Sequence, residues 1–195
     1  VQVAGYLPPG QALTRQGAVP GDEIWVSGTL GDAALGLRLV QGELEPSDSV
    51  REQLCRRLNR PQPRLALGIV LRGMASSCID ISDGLLADLG HVCAAGDCGA
   101  SVQYADLPLS PAARDLIAAD SGLGDLPLIG GDDYELCFTA AAKQHEDIQA
   151  LTAQSGCPLS CIGRIEAEPG IRCFDQDGRP RRVTGQGYRH FSESS

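Results

Sequence analysis

Two short runs place acidic and hydroxyl side chains at glycine turns beside apolar stretches. They are Cys78-Ile79-Asp80-Ile81-Ser82-Asp83-Gly84-Leu85 and Gly130-Gly131-Asp132-Asp133-Tyr134-Glu135-Leu136. In the first run, alternation sets Ile79 and Ile81 on one face of a strand and Asp80 and Ser82 on the other. Asp83 and Gly84 then turn the chain into a helix whose apolar stripe is Leu85, Leu86, Leu89, Val92 and Cys93. Asp80, Ser82 and Asp83 are thus expected to meet at one strand end, beside a helix N-terminus that favours anions.

Two chemistries fit that arrangement. Ser-Asp ahead of a helix is ordinary N-cap chemistry, and Asp83 with Gly84 needs no further role to explain it. Asp80 points elsewhere, because a cap has no use for a second carboxylate earlier on the strand. Several converging oxygens are the ligand set that hard cations take, and Mg2+ shared between carboxylates and phosphate oxygens is the sharper reading.

The elements that must position these residues alternate along the chain. A strand is expected at Glu23 to Gly28, then Gly28-Thr29-Leu30-Gly31-Asp32. That run could cradle a phosphate but is not G-x-x-x-x-G-K-S/T, and it reads better as a tight turn with Asp32 as N-cap. The helix that follows has Ala33, Leu37 and Val40 on its stripe. Helices follow at Ser49 to Leu58 and Leu65 to Met74. Next come the strand and helix of the first motif, a strand at Ala100 to Tyr104, a helix near Pro111 to Ala119 and a strand at Tyr134 to Thr139. The last third has a helix near Ala142 to Ser155 and strands at Leu159 to Ile165, Ile171 to Phe174 and Arg181 to Val183. Asp175-Gln176-Asp177-Gly178 forms a hairpin turn between the final two. Such interspersed elements predict an α+β fold, with helices covering a mixed sheet. The arginines Arg56, Arg57, Arg60 and Arg64 read as a solvated face rather than a phosphate clamp.

Composition narrows the function classes. A net charge of −9 on 195 residues argues against a nucleic-acid partner. No apolar run approaches the roughly 18 residues of a membrane span. Eight cysteines without a C-x-x-C pair, and three scattered histidines, give no zinc motif and no disulfide framework. Reduced thiols packed as small hydrophobes are expected, which favours the cytoplasm.

The two motifs, the opening Pro9-Gly10-Gln11-Ala12-Leu13-Thr14-Arg15, the Gly28 to Asp32 turn and the terminal Gly187-Tyr188-Arg189-His190-Phe191 together resemble the thiamine-monophosphate kinase family. The resemblance implies the C-terminal domain of the aminoimidazole ribonucleotide synthetase superfamily, an α/β/α layered fold. Residues 1–18 would connect it to a preceding N-terminal ATP-binding domain, and residues 19–195 would form the domain itself. It further implies ATP-dependent phosphorylation of thiamine monophosphate to thiamine diphosphate with Mg2+, by a homodimer of the longer protein, with this chain inactive alone. Carried over by motif, Asp80 and Asp83 would hold Mg2+, Arg15 and Ser82 would contact nucleotide, and Asp132 and Tyr188 would contact thiamine monophosphate. The alternatives are another superfamily member using ATP on a different small substrate, or a non-catalytic ligand-binding module.

Overall fold

A computed structural model describes residues 5–183. Six strands form one mixed sheet in the order β2-β4-β1-β5-β3-β6. They are β1 (Glu23–Ser27), β2 (Ala75–Asp80), β3 (Gly99–Gln103), β4 (Leu136–Ala140), β5 (Leu159–Glu166) and β6 (Gly170–Phe174). Every neighbouring pair is antiparallel except β3 with β6. β1 is buried along its whole length, as a strand covered on both faces must be.

The two faces have separate cores, which is the α/β/α layering expected. On one face α4 (Leu85–Gly96) lays Leu85, Leu89 and Val92 against Ile24, Val26, Ile79 and Ile81. On the other, α3 (Leu65–Val70) and α7 (His145–Ser155) cover Trp25 and Phe138, cross-strand partners whose rings stack with centroids 6.4 Å apart. A third cluster joins α1 (Asp32–Val40), α2 (Asp48–Asn59) and α5 (Pro111–Ala119) through Leu35, Leu39, Leu54 and Ala113. Short α6 (Leu126–Ile129) leads into the second acidic motif.

Several expectations are corrected. The stripe of α1 is Leu35 and Leu39, while Leu37 and Val40 are exposed. The helix opens with its N-terminal turn buried, so its inward face is displaced from the simple 3.6-residue count begun at Ala33. α3 stops at Val70, and a turn delivers the chain to β2. The hairpin turn forms, with Gly178 N–H donating to the Asp175 carbonyl at 3.0 Å. Its return arm makes one bridge, Phe174 to Pro180, and no strand at 181–183. No helix among the described residues is long and apolar enough to cross a membrane, and all eight cysteines are free thiols.

Helices α1 and α2 approach closely at Gly36. A Cβ there would lie 2.6 Å from the Leu54 carbonyl oxygen and 3.2 Å from Leu58 Cβ. Alanine gains up to about 1 kcal/mol of helix propensity over glycine. Overpacking costs about 1–3 kcal/mol, and the obstacle here is backbone that cannot rotate away. Gly36→Ala is therefore expected to lower the melting temperature by a few degrees, at about 2–4 °C per kcal/mol for a domain of this size. An unchanged or raised melting temperature would show that the two helices separate freely.

Candidate active site

The pairing of β2 with β4 continues past the strand ends and binds the two motifs to each other. Asp80 pairs with Leu136 at the end of the ladder. Beyond it, Ile81 N–H donates to the Glu135 carbonyl (2.8 Å), Tyr134 N–H to the Ile81 carbonyl (2.8 Å) and Asp132 N–H to the Ser82 carbonyl (3.0 Å). Gly131 makes this approach possible, since a Cβ there would sit 2.4 Å from the Ser82 carbonyl oxygen. Where the sequence suggests one strand end, the structure has two loops laced together, with Ser82 and Asp83 bordering a different cleft from Asp80.

Within the second motif, successive residues alternate between anchor and display. Asp133 and Glu135 are buried, whereas Asp132 and Tyr134 are exposed. The displayed pair have positive φ, 67° at Asp132 and 49° at Tyr134. Aspartate tolerates that region, but for tyrosine it is strain on the order of 1–3 kcal/mol that the surroundings must hold. The anchors do so. Asp133 accepts from Gly31 N–H (2.7 Å) and Ala33 N–H (3.3 Å), so it caps α1 from across the fold. The Asp32 carboxylate instead accepts from Thr29 Oγ1 (2.7 Å) and Ser110 Oγ (2.6 Å), which corrects its reading as the cap.

Glu135 is fully buried and accepts from Ser27 Oγ (2.6 Å), Arg57 Nη2 (3.0 Å), Arg64 Nε (2.6 Å) and Arg64 Nη2 (2.5 Å). Arg57 and Arg64 are therefore structural ion-pair partners rather than a solvated face; their side chains are only 18% and 17% exposed. The bidentate bond to Glu135 is the main reason the Arg64 guanidinium is held above its ordinary range.

The first loop has its own anchor, Asp88 in the first turn of α4. Its Oδ2 accepts from Ser82 N–H (2.9 Å) and Asp83 N–H (3.0 Å), while Gly84 at the helix N-cap supplies no side-chain bond. Burial raises the Asp88 carboxyl, the two N–H bonds oppose that, and Asp83 and Asp80 raise it further. Asp88 was detectable in principle, as an acid on an otherwise apolar helix stripe. Arg57 and Arg64 were not, because their partner lies far away in sequence.

The residues singled out by sequence line three adjoining clefts. Ser82, Asp83 and Asp132 border one of about 650 Å³, with Leu37 and Tyr134 on its walls. Asp80 borders a largely apolar cleft of about 570 Å³ beside α3, again with Tyr134. Arg15 and Asp80 share a third, of about 560 Å³. Tyr134 thus stands between the acids. Its phenol is raised first by partial burial and then by Asp132, Asp80 and Asp83. Tyr188 lies outside the described residues. Asp80 borders different clefts from Ser82, Asp83 and Asp132, and the three carboxylates are not drawn to within 4.8 Å of one another among the described residues. Their oxygen donors are of the kind a hard divalent cation and its phosphates take.

Two variants test the anchors. Asp88→Ala strands two partly buried N–H groups, at about 1–3 kcal/mol each. Asp88→Asn keeps an oxygen at the position where both bonds land and is neutral where burial disfavours charge. Urea denaturation should therefore show a large loss for alanine and a small one for asparagine; equal losses would mean that the charge itself is required. Burial pushes the Asp133 carboxyl up to about 7, against the opposing bonds from Gly31 and Ala33. A raised acid binds its proton more tightly when folded, so its contribution is fullest below the unfolded pKa near 4 and is lost as pH rises toward 7. The unfolding free energy of wild type minus that of Asp133→Asn should fall over that interval and be flat above it. A flat difference throughout would show that Asp133 ionises freely in the folded state.

Residues 19–176 match the family model described as AIR synthase related protein, C-terminal domain. A thiamine-monophosphate kinase of Escherichia coli O157:H7 is 42% identical over 191 residues, which are 97% of this chain and 58% of that protein. The crystal structure of a thiamine-monophosphate kinase from Stenotrophomonas maltophilia K279a is 47% identical with a TM-score of 0.81, covering 90% of this chain and 56% of that one. The structure of AaThiL complexed with AMPPCP and TMP has a TM-score of 0.76 at 30% identity, over 92% of this chain and 54% of that one. The chain spans little more than half the length of the relatives it matches. Both its sequence and its fold place it in one family: the chain belongs to the AIR synthase related proteins, as their C-terminal domain.

Proposed function

We propose that this chain is the C-terminal part of a thiamine-monophosphate kinase, which passes the γ-phosphoryl group of ATP to thiamine monophosphate and yields thiamine diphosphate. The observation that carries the reading is the lacing together of the two acidic motifs, with Tyr134 on the walls of both the cleft that Asp80 borders and the one that Asp83 and Asp132 border. Relatives named for that activity, and one complexed with AMPPCP and TMP, support it.

Transfer between two phosphates asks little of a general base. The acceptor phosphate has a second pKa of about 6 and is already largely the dianion at neutral pH. What is needed is alignment and cancellation of charge on several phosphates. The oxygen donors of Asp80 and Asp83 fit Mg2+, which when bound supplies that cancellation. Asp80 and Asp83 would hold the ion, and Asp88 would keep Asp83 in place through its backbone. Ser82 and Arg15 would contact the nucleotide, Arg15 as a positive side chain lining the cleft it shares with Asp80. Asp132, exposed beside the cleft of about 650 Å³, suits the cationic thiazolium end of thiamine monophosphate. Tyr188 would lie against the same ring.

In this reading residues 1–18 connect to a further N-terminal domain that completes the ATP site. The longer protein is a cytoplasmic homodimer with no nucleic-acid or membrane partner, and this chain alone does not turn over.

The test is Asp83→Asn in the longer protein. Formation of thiamine diphosphate should fall by about 10²–10³-fold, the scale of losing one preorganised charge-stabilising group. The melting temperature should hold or rise, since one carboxylate leaves a crowded set. Turnover within a few-fold of wild type would remove Asp83 from the metal site. Absence of any thiamine monophosphate-dependent ATP consumption by the unmodified longer protein would overturn the substrate assignment itself.

A further inference from the structure

At the opposite end of β1 from the acidic loops, three metal-binding side chains from separate elements meet. Glu23 opens β1, His145 opens α7 and Cys161 lies in β5. Trp25 pairs directly with Cys161, so Glu23, two residues earlier on the same face, is its diagonal neighbour across a ladder that bulges between Ile24 and Trp25. His145 Nδ1 lies 2.8 Å from Glu23 Oε2, and its ring sits 5.0 Å from that of Trp25. One donor atom from each of the three lies within 4.8 Å of the other two. Sequence spacing gives no hint of this cluster, because its members are far apart in the chain.

We propose that Glu23, His145 and Cys161 form a binding site for a Zn2+-class cation, separate from the acidic loops and holding α7 to the sheet. Sulfur, nitrogen and oxygen donors are the set that Zn2+ accepts and that Mg2+ or Ca2+ does not. Three protein donors leave a fourth tetrahedral position for water. Metal bonds of about 2.0–2.3 Å place tetrahedral donors roughly 3.4–3.8 Å apart, so closing the set needs a contraction of about 1 Å. Charge favours the site as well. A thiolate, a carboxylate and a neutral imidazole bring two negative charges to a dication. The Cys161 proton leaves to solvent, and His145 gives up its hydrogen bond to Glu23 in exchange for the metal bond. Without a cation, burial and the nearby Glu23 keep the Cys161 thiol raised and protonated. Among the described residues the other ion-pair partner of Glu23 is Arg164, 3.7 Å from Oε1, whose side chain is mostly exposed and can swing aside. The bland alternative is a simple His145–Glu23 ion pair with Cys161 as an inert neighbour.

The two differ in what cobalt does. Titrating the purified 195-residue chain with Co2+ should produce thiolate-to-cobalt charge-transfer absorption that saturates at one equivalent and is displaced by Zn2+. Trp25 is the only tryptophan, and its fluorescence should be quenched over the same range. Cys161→Ser should abolish the charge-transfer band. His145→Gln and Glu23→Gln should each weaken binding by about 10- to 100-fold or more, the scale already reached by loss of a partner one layer further out. Cys157→Ser should leave all three signals unchanged. A band that survives in Cys161→Ser, or no saturable signal in the unmodified chain, would overturn the proposal. Should Cys161→Ser fail to fold, His145→Gln decides it, since His145 lies at the protein surface; unchanged affinity there returns the cluster to a plain ion pair.

Discussion

The buried carboxylate of Glu135 is the constraint around which the acidic end of the molecule is arranged. A lone ionised carboxylate cannot be withdrawn from water without a large penalty, so its burial commits other parts of the chain to meet it. Two guanidiniums and a hydroxyl converge on it, from α2, from the turn before α3 and from β1. Leu136 N–H also donates to that same Ser27 hydroxyl, at 2.9 Å, so β1 and the start of β4 share one polar contact. Such a network adds little to net stability compared with apolar packing of equal volume. Its effect is on register: removing either charge leaves the other unmatched, so only one alignment of α2, α3, β1 and the second motif satisfies every group.

That alignment lets the same motif hold a strained shape. Asp133 and Glu135 lock inward, and the residues between and before them are turned outward through left-handed backbone. The arrangement separates two demands that usually compete. Positions that fix the loop are buried and satisfied within the protein, and the positions between and before them face the clefts. Asp88 anchors the first loop in the same manner, by accepting from the backbone N–H groups of Ser82 and Asp83.

Helices covering a mixed sheet, and the strand and helix of the first motif, could be read from sequence because they follow from local periodicity. The α/β/α layering came from the family resemblance, and the lacing of the two motifs, carried by long-range backbone bonds, was not read at all. Ile79 and Ile81 alternate, Leu85, Leu89 and Val92 repeat at helical spacing, and the polar residues between them have one place to go. The anchors could not be read this way. Asp133 caps a helix about a hundred positions earlier in the chain, and Arg57 and Arg64 neutralise a glutamate more than seventy residues on. Nothing local marks such partners, and a basic cluster near a helix end looks the same whether it faces water or a buried acid. The stripe of α1 failed for a related reason: α2 and α5 chose its inward face, not its own hydrophobic count.

The segment before β1 does more than lead into it. Cys78 N–H, on the edge strand β2, donates to the Thr14 carbonyl at 2.8 Å, so a stretch of extended chain closes the open side of the sheet. Two residues beyond Cys78 stands Asp80, and the residue after Thr14 is Arg15, which shares a cleft with it. A single peptide hydrogen bond thus sets the extended segment that carries Arg15 against the strand end that carries Asp80.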